Sequence, residues 1–371
     1  MASNGHNNAN IDQTMQAIVF MQAIANETIP RTSVASEIPL DVLEVIFKSL
    51  TSYDLAICCR VNKAVHALAL EALYRDLYPN RRNVMRLCLK LCNEPDLAYR
   101  VRSFTLNDNT VDMFLGIISD VLLKLPRLHT LFLFIGSMSS WILPRGDACP
   151  FLLQAFSSSF FFDDTLVVFL QSQRDLRHLG VTVPQPFRIY RTIRPSMFPN
   201  LVSISAPMVI VDAIVPGRPV RNITSYHVYD ESLSISCFSQ STSSTGIQRL
   251  MLNFTYLQAV ARDQLAQLTP NLVTFTIDAD GVKPDDHEMV DELTEWIEEY
   301  LSYAKDLECL IIRFYPALSN TPCQELDFSD MITSVFAASV KLKHVIVAFY
   351  GFKTKYVCKQ LPGQDWYIVN D

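Results

Sequence analysis

A short apolar motif recurs along most of the chain: an apolar residue, two spacers, a second apolar residue, one spacer and a third. It runs through Val101/Phe104/Leu106, Leu128/Leu131/Leu133, Leu176/Leu179/Val181 and Leu201/Ile204/Ala206. It continues through Ile223/Tyr226/Val228, Ile247/Leu250/Leu252, Leu272/Phe275/Ile277, Leu307/Leu310/Ile312 and Leu342/Val345/Val347. A weaker copy stands at Leu153/Phe156, with Ser158 in third place. Copies begin 22 to 27 residues apart as far as Leu272, then 35 apart. The second and third apolar positions have the spacing of a strand with one buried face. Proline precedes several copies, as in Leu125-Pro126-Arg127-Leu128 and Thr269-Pro270-Asn271-Leu272, where it ends a preceding helix. Helical runs fill the intervals, at Asp112 to Leu123, Asp164 to Ser172, Thr255 to Leu268 and Asp285 to Ala304. The last has Met289, Leu293, Trp296, Ile297, Tyr300 and Leu301 on one face and five acids on the other. This alternation at short period predicts an α/β solenoid, a horseshoe with parallel strands on the concave side and helices on the convex side. An ordinary α/β domain also alternates parallel strands with helices, but no glycine-rich phosphate loop follows any strand here.

Residues upstream of this array follow a helical pattern. Leu40, Leu43, Ile46, Phe47 and Leu50 make one apolar stripe, after Ile38 and Pro39, and Pro39 suits a first helical turn. A polar break at Thr51-Ser52-Tyr53-Asp54 leads to a second helix through Leu55 to Val61, with Ser52 as its expected cap. A third run passes through Ala64, Ala67, Leu68, Leu73, Tyr74 and Leu77. Three short helices bury little alone, so the unit is expected to lean on a partner or on the rest of the chain. Val84, Leu87, Cys88 and Leu91 then share one helical face, decorated by Arg81, Arg82, Arg86 and Lys90.

The stretch from Ile38 to Leu77 resembles the F-box. The family's pattern is met at Ile38-Pro39-Leu40, Leu43, Ile46, Leu50, Asp54-Leu55 and Val61, while Val65 stands where a tryptophan is often found. Leu73-Tyr74-Arg75-Asp76-Leu77 looks like the F-box proteins of mushroom-forming fungi, whose leucine-rich repeats are irregular as these are. The resemblance implies a non-catalytic subunit of an SCF-type E3 ubiquitin ligase. Its F-box would dock on the Skp adaptor, and through it on cullin and RING subunits, using Ile38, Pro39, Leu40, Leu43, Ile46, Phe47, Leu50, Leu55 and Val61. The expected division is a polar N-terminal segment over 1–36, the F-box over 37–78, a helical linker over 79–100 and the repeats over 101–371.

Composition narrows the partners. Lys and Arg number 31 against 38 Asp and Glu, a net charge of −7, so nucleic acid is not the expected partner. Nine cysteines without framework spacing suit reduced thiols in cytosol or nucleus. No apolar run reaches membrane-spanning length, and the apolar run over 17–25 lacks the basic start of a signal peptide. Catalytic motifs are missing, no histidine has metal-ligand spacing, and no cofactor or metal is expected. Two alternatives carry chemistry. Cys309 and His344 fall on neighbouring predicted strands, and Asp285-Asp286-His287-Glu288 gathers acids, more simply read as a solvated helix start.

What remains is a surface for an unidentified protein. The residues beside the second apolar position, and the one after the third, are expected to face away from the helices. They include Phe132 and Phe134, His178, then Ser225, His227 and Tyr229, then Arg249, Met251 and Asn253. Thr276, Asp278, Ile311, Arg313, His344 and Ile346 follow. Phe132, Phe134, His178, His227, Tyr229, Arg249, Asp278 and Arg313 are the candidate substrate-binding residues. A scaffold using the same surface outside any ligase is the alternative function.

Overall fold

The computed structural model describes residues 40–182, 193–194, 196–226, 235–315, 326–349, 355–359 and 367–369. Three helices come first: α1 (Leu40–Lys48), α2 (Ser52–Cys58) and α3 (Lys63–Arg75). Thr51, not Ser52, caps α2: its hydroxyl accepts from the Asp54 N–H at 3.3 Å and donates to the Asp54 carboxylate. Asn62 caps α3, accepting from the Val65 N–H at 2.9 Å. Both are side-chain oxygens meeting the otherwise unpaired N–H groups of a first turn. The three helices close a small core of Phe47, Leu55, Cys58, Val65 and Ala69.

The strands then form one sheet in strict sequence order. They are β1 (Asp76–Leu77), β2 (Ser103–Asn107), β3 (Thr130–Phe134), β4 (Ala155–Ser158), β5 (His178–Val181) and β6 (Ser203–Pro207). Next come β7 (Asn222–Tyr226), β8 (Arg249–Asn253), β9 (Thr274–Asp278), β10 (Cys309–Phe314) and β11 (His344–Phe349). All pairs from β1 to β11 are parallel, and β12 (Lys355–Lys359) and β13 (Tyr367–Val369) follow antiparallel. A doubly wound sheet reverses its order at a switch point. This one never does, so the fold is an α/β solenoid in which each repeat packs on its neighbours.

Register places the second and third apolar positions of each copy in two continuous core rows. Phe104, Leu131, Phe156, Leu179 and Ile204 are level, and all are 2% exposed or less. Ser158 fills the third place of the weaker copy and is fully buried. One copy is out of phase. Ile223 aligns with Ile204 and Leu250, so it occupies the second position, and the true copy is Val220/Ile223/Ser225. All three are buried, and Ser225 is level with Ala206 on the core side. An earlier copy also exists. Leu77 pairs with Phe104, which makes Tyr74/Leu77/Pro79 a first repeat, buried at all three places. The boundary expected at 78 therefore cuts through the solenoid, and Leu77 is on a strand rather than a helix. The expected linker is part of the array too: Val84, Cys88 and Leu91 of α4 (Val84–Asn93) are fully buried in its core.

The helices between strands share that core. After α5 (Pro95–Ala98), the run expected over Asp112 to Leu123 is a 3-10 turn at Asn109–Phe114 followed by α6 (Leu115–Leu122). Next are α7 (Asp164–Gln171) and α8 (Met208–Ile214). The run expected over Thr255 to Leu268 is broken into α9 (Phe254–Gln258) and α10 (Arg262–Leu268). In α11 (His287–Tyr303) Leu293, Trp296, Ile297, Tyr300 and Leu301 are buried, but Met289 is exposed in the first turn. Trp296 stacks on Tyr300 at 5.4 Å and donates from Nε1 to the Leu257 carbonyl at 3.2 Å. The last helix is α12 (Ser329–Ala338). Between β6 and β7 the buried Arg218 guanidinium donates to the carbonyls of Met197, Ile214, Pro216 and Arg194. Those bonds fix the chain around Phe198, a bulky residue held at a φ of 60°.

Candidate functional site

Two surfaces present side chains. The first is on the helical unit. Leu43 and Phe47, named from the sequence as docking residues, are buried, as is Leu55, and Phe47 and Leu55 pack together in the small core. Phe47 and Leu55 hold the helices together instead of facing outward. Leu50 and Val61 are half-buried against the same core. Ile38, Pro39 and the Leu40 side chain lie outside the described residues. Ile46 is exposed, as are Val42 and Val45 (64% exposed) on the same helix and Tyr53 (75% exposed) on α2, which the single stripe overlooked. Their signal was available: Val42 and Val45 are three apart, a second apolar line on α1.

The second surface is the face of the sheet away from the helices. One row crosses it at the first strand position: His178, Ser203, Asn222, Arg249, Thr274, Cys309 and His344 are level across β5 to β11. A second row runs through Phe132, Ser157, Gly180, Ser205, Thr224, Met251, Thr276, Ile311 and Ile346. Phe132 and Phe134 are half-buried and His178 is exposed. Small side chains make the middle shallow. Gly180 is required there, since a Cβ would stand 2.2 Å from the Ser157 hydroxyl oxygen and 2.9 Å from its Cβ.

The structure puts Asp278 and Arg313 level on β9 and β10, sets Arg249 at the other end of β8, in the row of His178, and leaves Phe132 and Phe134 further along the sheet on β3. His227 and Tyr229 lie outside the described residues. The corrected phase of β7 puts Asn222 and Thr224 on the open face there, and Ser225 on the core side. Asn253 and Asp278, expected at the surface, are buried. Asn253 caps α9, accepting from the Thr255 N–H at 2.8 Å. Asp278 accepts from the Tyr315 hydroxyl at 3.1 Å, while its other oxygen is buried and unpaired. Burial pushes the Asp278 carboxyl above the ordinary aspartate value, with the Tyr315 hydrogen bond opposing, Asp280 adding and Arg313 opposing. Thr276 and Met251 are also buried. Arg313 explains both, because its Nη1 donates to the Met251 thioether at 3.4 Å and so its side chain crosses β9.

The chemical alternatives also have places. Cys309 and His344 are cross-strand partners in register. Burial pushes the Cys309 thiol up, against the Arg249 charge, and so disfavours the thiolate that nucleophilic attack requires. Asp286 caps α11, accepting from the Met289 N–H. Among the described residues no three His, Cys, Asp or Glu side chains gather as a metal site. A cavity of about 340 Å³ opens at the lower edge of β3 to β5, lined by His129, Cys149 and Asp175 among others. There Cys149 donates to the Phe151 carbonyl at 3.4 Å and accepts from Gln173 at 3.3 Å, and burial pushes its thiol up. Among the described residues no helix is long and apolar enough to cross a membrane.

No family model matches the chain, and no curated protein matches it. Among solved structures it is similar to a leucine-rich repeat-containing protein, LegL7, from Legionella pneumophila. That match has a TM-score of 0.41 and 12% identity, and covers 78% of this chain and 87% of the other.

Proposed function

We propose that this chain is the substrate-recognition subunit of an SCF-type ubiquitin ligase, acting in cytosol or nucleus without catalysing a step itself. The observation that carries the reading is the helical unit. Its residues follow the F-box pattern, it closes its own core, and it still leaves Val42, Val45, Ile46 and Tyr53 at the surface. Val42, Val45 and Ile46 stand at i, i+3 and i+4 on α1, and an exposed apolar line of that kind is characteristic of a protein contact. In this reading α1 and α2 meet the Skp adaptor, which links to cullin and RING subunits. The open face of the solenoid holds a protein near the charged ubiquitin-conjugating enzyme, and tethering raises the local concentration of its lysines at the thioester.

The experiment pairs two changes in affinity purification of the full chain. Val45→Asp with Ile46→Asp places charge on the exposed cluster without touching Phe47 or Leu55. Adaptor and cullin recovery should fall to background, while thermal unfolding stays at the wild-type midpoint. Phe132→Asp should leave the adaptor in place and deplete another partner. Undiminished adaptor with the first variant would refute the docking surface. Partners recovered without any cullin from the wild-type chain would favour a scaffold outside the ligase.

A further inference from the structure

The ends at which β1, β2 and β3 begin gather cations. The Arg102 N–H donates to the Arg75 carbonyl at 2.8 Å, and the His129 N–H donates to the Arg102 carbonyl at 2.8 Å, so Arg75, Arg102 and His129 are level. Neighbouring strands lie about 4.8 Å apart, and level side chains leave them in the same direction. Arg127, two residues before His129, lays its guanidinium over the ring of Tyr99, just after α5, at 4.7 Å. Stacking occupies the face of a guanidinium and leaves the N–H groups at its edge free. These charges act on one another. Burial holds Arg102 below the ordinary arginine value, with Arg127 adding, Glu71 opposing, Arg75 adding and Tyr99 opposing. Burial likewise holds His129 below the ordinary histidine value, with Arg102 and Arg127 adding.

Counter-charge is present and outnumbered. Glu71 accepts from Arg100 Nη1 at 2.8 Å, and Asp76 stands 3.9 Å from Arg75 Nε. Among the described residues Arg102 and Arg127 make no ion pair within 4.0 Å, and the buried Arg100 Nε has no acceptor. Arg75, Arg100, Arg102 and Arg127 thus have Glu71 and Asp76 between them, and a dianion beside Arg102 and Arg127 would balance the group. On the other side of His129 the cavity of about 340 Å³ opens towards β5. Pro126 and Phe151 give it apolar walls, and the exposed Gln154 and Asp175 give it hydrogen-bond acceptors. Arg177 is level with Gln154 and is not one of its walls. His129 therefore stands between a set of cations and a cavity that carries acceptors.

We propose that this edge of the solenoid binds a sugar phosphate, with its phosphoryl group between Arg102, Arg127 and His129 and its sugar in the cavity. The site is apart from the docking helices and from the two rows of the open face, and it stands or falls without the ligase reading. A phosphate monoester is mostly a dianion at neutral pH, and a guanidinium bonds two of its oxygens through a planar fork. Arg75, one strand away, adds charge without contact. Hydroxyls of the sugar donate to Gln154 and Asp175, while its carbon faces rest on Pro126 and Phe151. The Asp175 carboxylate repels the phosphoryl group from that end, which fixes the direction in which the ligand lies. The cavity is at the small end of ligand sites, which suits a single sugar ring.

The test is isothermal titration calorimetry of the full chain with ribose 5-phosphate, inorganic phosphate and ribose. The sugar phosphate should bind at least about tenfold tighter than inorganic phosphate, and ribose should give no heat of binding. Arg102→Gln should weaken both phosphates by about tenfold or more, whereas Asp175→Ala should weaken the sugar phosphate alone. Arg86→Gln, exposed on α4, should change neither. The histidine ring resonance that His129→Gln removes should move when the sugar phosphate is added to the wild-type chain. Circular dichroism checks each fold, and Arg127→Gln carries the test if Arg102→Gln unfolds. Failure of both phosphates to bind overturns the proposal. So does equal affinity for the two phosphates, or ribose binding as tightly as its phosphate. Binding that survives loss of either arginine with the His129 resonance unmoved would place the ligand elsewhere and overturn it as well.

Discussion

Asp278 occupies a position that disfavours its charge. It is 8% exposed, one oxygen takes the Tyr315 hydroxyl and the other has no hydrogen-bond donor. Its folded-state affinity for a proton is therefore raised above the unfolded value near 3.8, chiefly by burial. The sign of the stability effect follows from linkage. Between the unfolded and folded values the native state binds more protons than the unfolded state, so stability falls as pH rises through that interval and stays low above it. Asp278→Asn keeps an oxygen for Tyr315 and carries no charge. At neutral pH the variant should unfold at higher urea concentration than wild type. The gap should close as pH is lowered towards 3.8, where wild-type Asp278 is itself protonated. A variant less stable at neutral pH would mean that the carboxylate is stabilised in a way the Tyr315 contact does not account for.

At the scale of elements, the helix α3 belongs to two structures at once. Phe47, Leu55, Val65 and Ala69 gather on its N-terminal side, whereas Tyr74 and Leu77 enter the solenoid core, and Leu73 touches both. Because β1 pairs with β2, the first solenoid repeat begins inside the F-box-like segment. A fragment beginning at 79 loses that repeat and bares the backbone edge of β2, which invites association between edges. A fragment beginning at 63 keeps it. In size-exclusion chromatography the longer fragment should run as a discrete soluble species and the shorter should aggregate; equal behaviour would refute β1 as the structural start of the array. The sequence revealed nine of the ten copies it was read for in correct phase, because leucine-rich strands at regular spacing carry their own register. The copy at Val220/Ile223/Ser225 was misread because a serine sits where the motif wants an apolar group, and Tyr226 and Val228 offered a false match three residues on. The copy at Tyr74/Leu77/Pro79 was hidden by the helical pattern that runs into it. Burial of Asn253 and Asp278 could not be read from alternation alone, since it depends on a cap and on Tyr315 approaching from the next strand.

The whole molecule joins a large core to a small one, and this decides how it opens. The solenoid core is continuous from Tyr74 to Phe349, and neighbouring repeats share every side of it. Long repeat arrays lose two-state behaviour only where one interface is weak against its neighbours. Both core rows are filled at nearly every level here, so the array should open as a unit. Leu250 is 1% exposed at the second position of β8, between Ile223 and Phe275. Leu250→Ala leaves a cavity and should cost about 2–5 kcal/mol. Hydrogen exchange distinguishes where that cost is felt. Slow amides exchange only through global opening, so protection in distant strands, β3 and β10 included, should fall by the same factor as in β8. Amides of α1 and α2, held by a core of five buried residues, should exchange through a local opening of lower free energy. Their protection should stay unchanged in Leu250→Ala. Loss confined to β7, β8 and β9 would show that the solenoid opens repeat by repeat. Loss extending into α1 and α2 would show instead that α3 couples the small core to the large one, and that the helical unit has no independent opening.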